Sequence, residues 1–146
     1  MIPRRWYGRM MIFLLLMLTS LVTNAQGIAV EKFEAAPEDL TANLKGTQVL
    51  DQNGDVCALI RIQTTQKGFT FDVGALGITK TDDNKTAEVW VYVPAGVKRI
   101  SIRHPQLGSL INYYFPIEIQ GARTYRMYLT TGQVQTIVHN AITQQY

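Results

Sequence analysis

Asp51-Gln52-Asn53-Gly54-Asp55 places three oxygen-bearing side chains at alternate positions, as at the start of a calcium-binding loop. A loop of the EF-hand kind needs oxygen ligands at positions 1, 3 and 5, a glycine at 6 and a bidentate glutamate at 12. Position 6 is Val56 and position 12 is Ile62, which has no oxygen to give. The stretch reads better as a hairpin loop, because Asn53 and Gly54 both tolerate positive φ. Cys57, the only cysteine of the chain, follows two residues later. A thiol nucleophile needs a lowered pKa and a base beside it. The two histidines are His104, before a proline in a connection, and His139, near the C-terminus. A cysteine between Val56 and Ala58 in an apolar run reads as a small core residue. Asp82-Asp83 reads as a solvated pair, and Asn84-Lys85-Thr86 matches a glycosylation sequon. The sequence has no serine elbow, glycine-rich phosphate loop, His-x-x-x-His pair or closely spaced cysteine pair. The expectation is a protein that is not an enzyme, with no catalytic residue, metal or cofactor.

Aromatic side chains are the remaining candidates. Trp90 and Tyr92 share one face of a strand, since side chains two apart point the same way, and Val89, Val91 and Val93 share the other. Two apolar faces mean that the aromatics are either covered or presented to a ligand. Exposed aromatics on a sheet stack on sugars or anchor a partner. Trp90, Tyr92, Tyr113 and Tyr114 form the candidate ligand or partner surface, although a second buried face explains the first pair more simply.

The N-terminus indicates the compartment. Arg4, Arg5 and Arg9 precede the uncharged run Met10 to Val22, and Thr23-Asn24-Ala25 supplies small residues for a signal peptidase. Residues 1–25 therefore read as a signal helix cleaved after Ala25. Its apolar run covers about 20 Å against a hydrocarbon core of about 30 Å, so no membrane span is expected after cleavage. The protein is expected to be exported to the periplasm or outer cell envelope. The chain carries 14 Lys and Arg against 11 Asp and Glu. The signal removes three arginines and no acid, leaving 11 of each sign and no net charge. The basic excess belongs to the signal, so a nucleic-acid partner is not expected.

These residues are positioned by strands and turns. Val56–Gln63, Phe69–Val73, Glu88–Val93, Lys98–His104, Asn112–Phe115 and Tyr125–Leu129 are rich in β-branched and aromatic residues, and most alternate apolar with polar. Breaks fall at Asn53-Gly54, Pro94-Ala95-Gly96, His104 to Gly108 and Gln120-Gly121-Ala122, with a polar loop from Thr81 to Thr86. This spacing predicts an all-β fold, an antiparallel β-sandwich of about seven to eight strands over residues 26–131. In the tail, residues 132–146, Val134, Ile137, Val138, Ala141 and Ile142 fit one helical face, but the β-branched content favours an extended segment. Both readings stand.

Asp51-x-Asn53-Gly54 with Val56-Cys57-Ala58-Leu59-Ile60, then Trp90-Val-Tyr-Val-Pro94-Ala95-Gly96-Val-Lys98-Arg99 and Ile102-Arg103-His104-Pro105, carry a resemblance. From about Val30 to Thr131 the chain resembles the N-terminal β domain of exported bacterial proteins that carry PEGA domains. Pro94-Ala95-Gly96 echoes the Pro-Glu-Gly-Ala pattern, with Ala95 where glutamate would stand. The tail from Thr131 resembles the segment joining such a domain to a following PEGA module. The chain stops where that module would begin, which predicts a truncated product or a short paralogue. The resemblance implies a small β-sandwich with a binding or spacer role towards an envelope protein or polysaccharide. The family shares no catalytic residues, so none carries over. The competing readings are a carbohydrate-binding module using the exposed aromatics and an enzyme using Cys57 and His104.

Overall fold

A computed structural model describes residues 27–131; the expected signal peptide, the tail and His139 lie outside the described residues. Eight strands occur, β1 Ile28–Ala35, β2 Ala58–Gln63, β3 Thr70–Asp72, β4 Lys80–Asp82, β5 Glu88–Val93, β6 Arg99–His104, β7 Gly108–Tyr114 and β8 Thr124–Thr131. They form a five-stranded sheet in the order β1-β8-β2-β5-β4 and a three-stranded sheet in the order β3-β6-β7. The two sheets pack together as a β-sandwich. Alternation along the strands builds its core. In the central strand β2, Ala58, Ile60 and Ile62 turn inward, where they meet Val89, Val91 and Val93 of β5, Ile100 and Ile102 of β6 and Met127 of β8.

One pair departs from the antiparallel expectation. β8 lies parallel to β2, with Leu59 opposite Thr124 and Gln63 opposite Tyr128. The cause is the connection after β7, which crosses from the three-stranded sheet to insert β8 between β1 and β2. Parallel neighbours need such a crossover. Pro94-Ala95-Gly96 does turn tightly, with Gly96 at φ +86°, but it carries the chain from one sheet to the other instead of closing a hairpin. The hairpin is the next turn, where His104 pairs with Gly108.

Two strands escape the sequence reading. β1 contains a bulge between Val30 and Lys32, which breaks its period of two. β4 is a three-residue edge strand overlapping the start of the expected polar loop, and it has no buried residue to mark it. β7 starts earlier than expected because Ile111 and Asn112 together face Ser101 of β6. Asn112 sits at φ +55°, and its N–H donates to Ser101 Oγ at 2.9 Å.

The topology gives the sandwich two unlike poles. Ile28 pairs with Thr131, so the chain arrives at β1 and leaves β8 at the same pole. The connections 64–69, 83–87 and 105–107 share that proximal pole. The opposite, distal pole gathers 36–57, 73–79, 94–98 and 115–123. Its loops are joined by backbone hydrogen bonds, Gly96 N–H to Ile119 O at 2.9 Å and Ala122 N–H to Val56 O at 3.2 Å. A Cβ at Gly121 would lie 2.7 Å from the Val56 carbonyl oxygen, so only glycine fits there.

The longest connection, 36–57, folds back as a strap across the outer face of the five-stranded sheet. It includes a 3-10 turn at Thr41–Asn43. Ala42 N–H donates to Thr124 Oγ1 at 3.2 Å, and Cys57 N–H to Val49 O at 2.8 Å. Beneath it a second apolar cluster forms from Ala42, Cys57, Leu59 and Tyr92, flanked by Val49 and Trp90.

Candidate functional site

The four candidate aromatics lie in three separate places. Tyr92 is 3% exposed under the strap, and its hydroxyl donates to Thr47 O at 2.9 Å. Burial pushes its phenol up. Tyr92 is therefore a covered residue and not part of an open surface. Its burial agrees with the simpler of the two sequence readings, but the strap that covers it carries no strand or helix signal and is not legible in the sequence. Trp90 follows on the same face, half-buried at the strap's margin. The Arg61 guanidinium lies 5.3 Å and the Lys85 ammonium 4.6 Å from its ring. Its Nε1–H donates to Glu88 Oε2 at 3.3 Å. Tyr113 points to the other layer, packing on Phe33 at 6.5 Å and edge-on to Phe115 at 6.1 Å. Tyr114, its neighbour, is 65% exposed.

Around Trp90 is an ion network that spacing in the sequence does not reveal. Arg61 and Trp90 are directly paired across β2 and β5. Arg61 grips Glu88 with two hydrogen bonds of 2.7 Å, and its third arm reaches Asp39 of the strap. Asp39 also lies 3.8 Å from Arg126, which pairs with Glu38 at 2.9 Å. Gln63 donates to Glu88 at 3.1 Å. The Arg61 hydrogen bonds hold the Glu88 carboxyl below its ordinary range, against the opposing effect of burial. Burial raises Asp39, but the Thr41 hydroxyl and N–H and then Arg61 outweigh it and leave the group lowered. Both stay ionised at neutral pH and lock the strap to the sheet, so neither is poised to move a proton.

The remaining chemical candidates are engaged locally. Asp51 Oδ1 accepts from the N–H groups of Asn53 at 2.8 Å and Asp55 at 3.0 Å, closing its own hairpin. Gly54 takes φ +82° there. Among the described residues no group of three or more His, Cys, Asp or Glu could hold a metal. His104 Nδ1 accepts from the Gln106 and Leu107 N–H groups, which leaves the proton on Nε2 to donate to Lys67 O at 2.7 Å. Cys57 ends the strap just before β2 of the other sheet, fully buried, with its Sγ 3.4 Å from Thr79 Oγ1. The structure thus separates the cysteine and histidine of the enzyme reading.

Burial, opposed by the Thr79 hydrogen bond, pushes the Cys57 thiol up. Iodoacetamide at neutral pH is expected to leave the folded chain unmodified and to modify it fully once denatured. Cys57→Ala should cost about 1 kcal/mol through a small cavity. Mass spectrometry and urea unfolding check the two outcomes. Rapid alkylation of the native chain would reopen the nucleophile.

Among the described residues, grooves lie at the distal pole. One runs between Leu40 and the 121–124 backbone, and a second between Leu50 to Asn53 and Ala75 to Thr79. A third is bounded by Val97, Tyr114 and Ile117. The exposed large apolar side chains sort the same way. Leu40, Leu44, Leu50, Leu76, Tyr114 and Ile117 belong to the distal loops, the strap or the distal end of β7, and Ile111 alone lies mid-strand. No helix among the described residues is long and apolar enough to cross a membrane. No protein-family model, curated protein or solved structure matches the chain.

Proposed function

We propose that this chain is a non-catalytic, exported interaction module of the bacterial cell envelope, of the kind associated with PEGA domains. The observation that carries this reading is the pairing of Ile28 with Thr131. A spacer in line with its chain is threaded from one pole to the other. Here both ends of the described sandwich open at one pole, which leaves the opposite loops clear of them and open to a partner. The internal engagement of Cys57, His104 and Asp51 supports a binding role over a catalytic one. The resemblance to PEGA-bearing proteins rests on the quoted motifs alone, and the exported location on the signal-like first 25 residues.

The carbohydrate-binding alternative loses its strongest anchor, because Tyr92 is covered and two cations already flank the Trp90 ring. Fractionation of cells with antiserum to residues 26–146 tests the proposal. The expected result is one band in the periplasmic or envelope fraction, shortened by the length of the signal. An uncleaved band confined to the cytoplasm would overturn it.

A further inference from the structure

Among the described residues, nearly all the exposed large apolar side chains belong to the distal loops, the strap or the distal end of β7, and one distal groove has a definite chemistry. Leu50 to Asn53 of the hairpin form one wall and Ala75 to Thr79 the other, with Pro94 beside them. Leu50 and Leu76 are 51% and 56% exposed on its two walls. Solvation of two such leucines is unfavourable unless a partner covers them. The walls are turns fixed by backbone hydrogen bonds, Asp51 N–H to Asp55 O at 2.8 Å and Gly77 N–H to Gly74 O at 3.0 Å. The groove therefore exists before a partner arrives.

Charge narrows the occupant. The groove lining carries one charge, Asp51, with Asp55 further along the same hairpin, and the facing Ala75–Thr79 wall carries none, Lys80 following it. Neither carboxylate takes an ion pair among the described residues. No aromatic residue lines the groove, so it has no platform for a sugar ring. An anionic lipid surface would face the like charge of Asp51. We infer that this groove docks a protein segment that sets an apolar side chain between Leu50 and Leu76 and a basic group beside Asp51. The inference rests on the interaction-module reading and names its surface and the chemistry of its partner.

Two capped hexapeptides of equal leucine content test it, one carrying lysines and the other glutamates in their place. Each is titrated into the isotope-labelled full chain and followed by amide shifts. The lysine peptide is expected to shift the Leu50, Leu76 and Ile78 amides and to bind at least about tenfold tighter than the glutamate peptide. Leu76→Ser, at an exposed position, should retain the native spectrum and weaken the lysine peptide about tenfold. Equal affinity of both peptides, or shifts confined to other loops, would overturn the inference. So would the same amides responding to phosphatidylcholine vesicles without either peptide, or to rising protein concentration alone, which would assign the groove to lipid or to a second copy. Failure here with the chain found in the envelope removes only the docking surface. A cytoplasmic chain that still binds the lysine peptide removes the envelope reading and keeps the groove.

Discussion

Ile60→Ala should lower the free energy of unfolding by about 3–4 kcal/mol and the melting temperature by on the order of 15 °C. Ile60 is fully buried in the middle of the central strand β2. It pairs with Val91 of β5 on one side and with Tyr125 of β8 on the other. Neighbours held by two ladders of hydrogen bonds cannot close over the space that three missing carbons leave, so the cavity cost adds to the lost transfer energy. A domain of this size has about 5–15 kcal/mol of stability in all, so the variant approaches the limit of folding at 37 °C. Leu76→Ala is the contrast, since its side chain already faces water, and a change within about 0.5 kcal/mol is expected. Urea unfolding of both variants decides the matter. A loss below 1 kcal/mol for Ile60→Ala would show that the sheets are packed more loosely than the structure has them.

Arg61→Met should destabilise the protein by about 2–3 kcal/mol at pH 7 and change how stability responds to acid. The guanidinium is 23% exposed, Asp39 8% and Glu88 20%, so the figure is below that of a fully buried pair. Methionine keeps the stem's packing but leaves two ionised carboxylates without their main cation. The pH dependence follows from the directions of the shifts. Glu88 and Asp39 both titrate lower in the folded chain than in the unfolded one. In the window between the two values the unfolded chain binds more protons, so stability rises with pH. The stabilisation is complete above the unfolded carboxylate values, about 4, and is lost as pH falls through the folded ones. The native protein should therefore melt progressively earlier between about pH 5 and pH 2. The variant should melt earlier at pH 7 and show a shallower acid slope. The strap also loses its tether at Asp39, so Cys57 should become alkylated by local opening without global unfolding. Parallel melting profiles for the two proteins across this range would exclude the network as the source of the acid response.

The calcium-like stretch and Trp90 show how much of the site was legible. In Asp51–Asp55 the reading as a hairpin needed only local information, because turn chemistry acts over four or five residues and Gly54 supplies the required positive φ. Trp90 and Tyr92 were correctly placed on one face, since pleating makes that a local property. Whether that face was open was not local. Tyr92 is closed over by Thr47, 45 residues earlier in the chain, and Arg61 meets Glu88 27 residues later. Neither partner carries a spacing that points to the other.

The sequence by itself determined the all-β class, most of the strands, which side chains turn inward, and the turns at Asn53-Gly54 and Pro94-Ala95-Gly96. A period of two and a glycine's freedom at positive φ are set by neighbouring residues and survive in any arrangement of the strands. Only the tertiary structure decided that β8 runs parallel to β2, that the strap buries Tyr92 and Cys57, and that the exposed leucines of the described residues gather at the pole opposite Ile28 and Thr131. Those outcomes depend on which distant segments share one core, and a strand's alternation is the same whichever neighbour it finds.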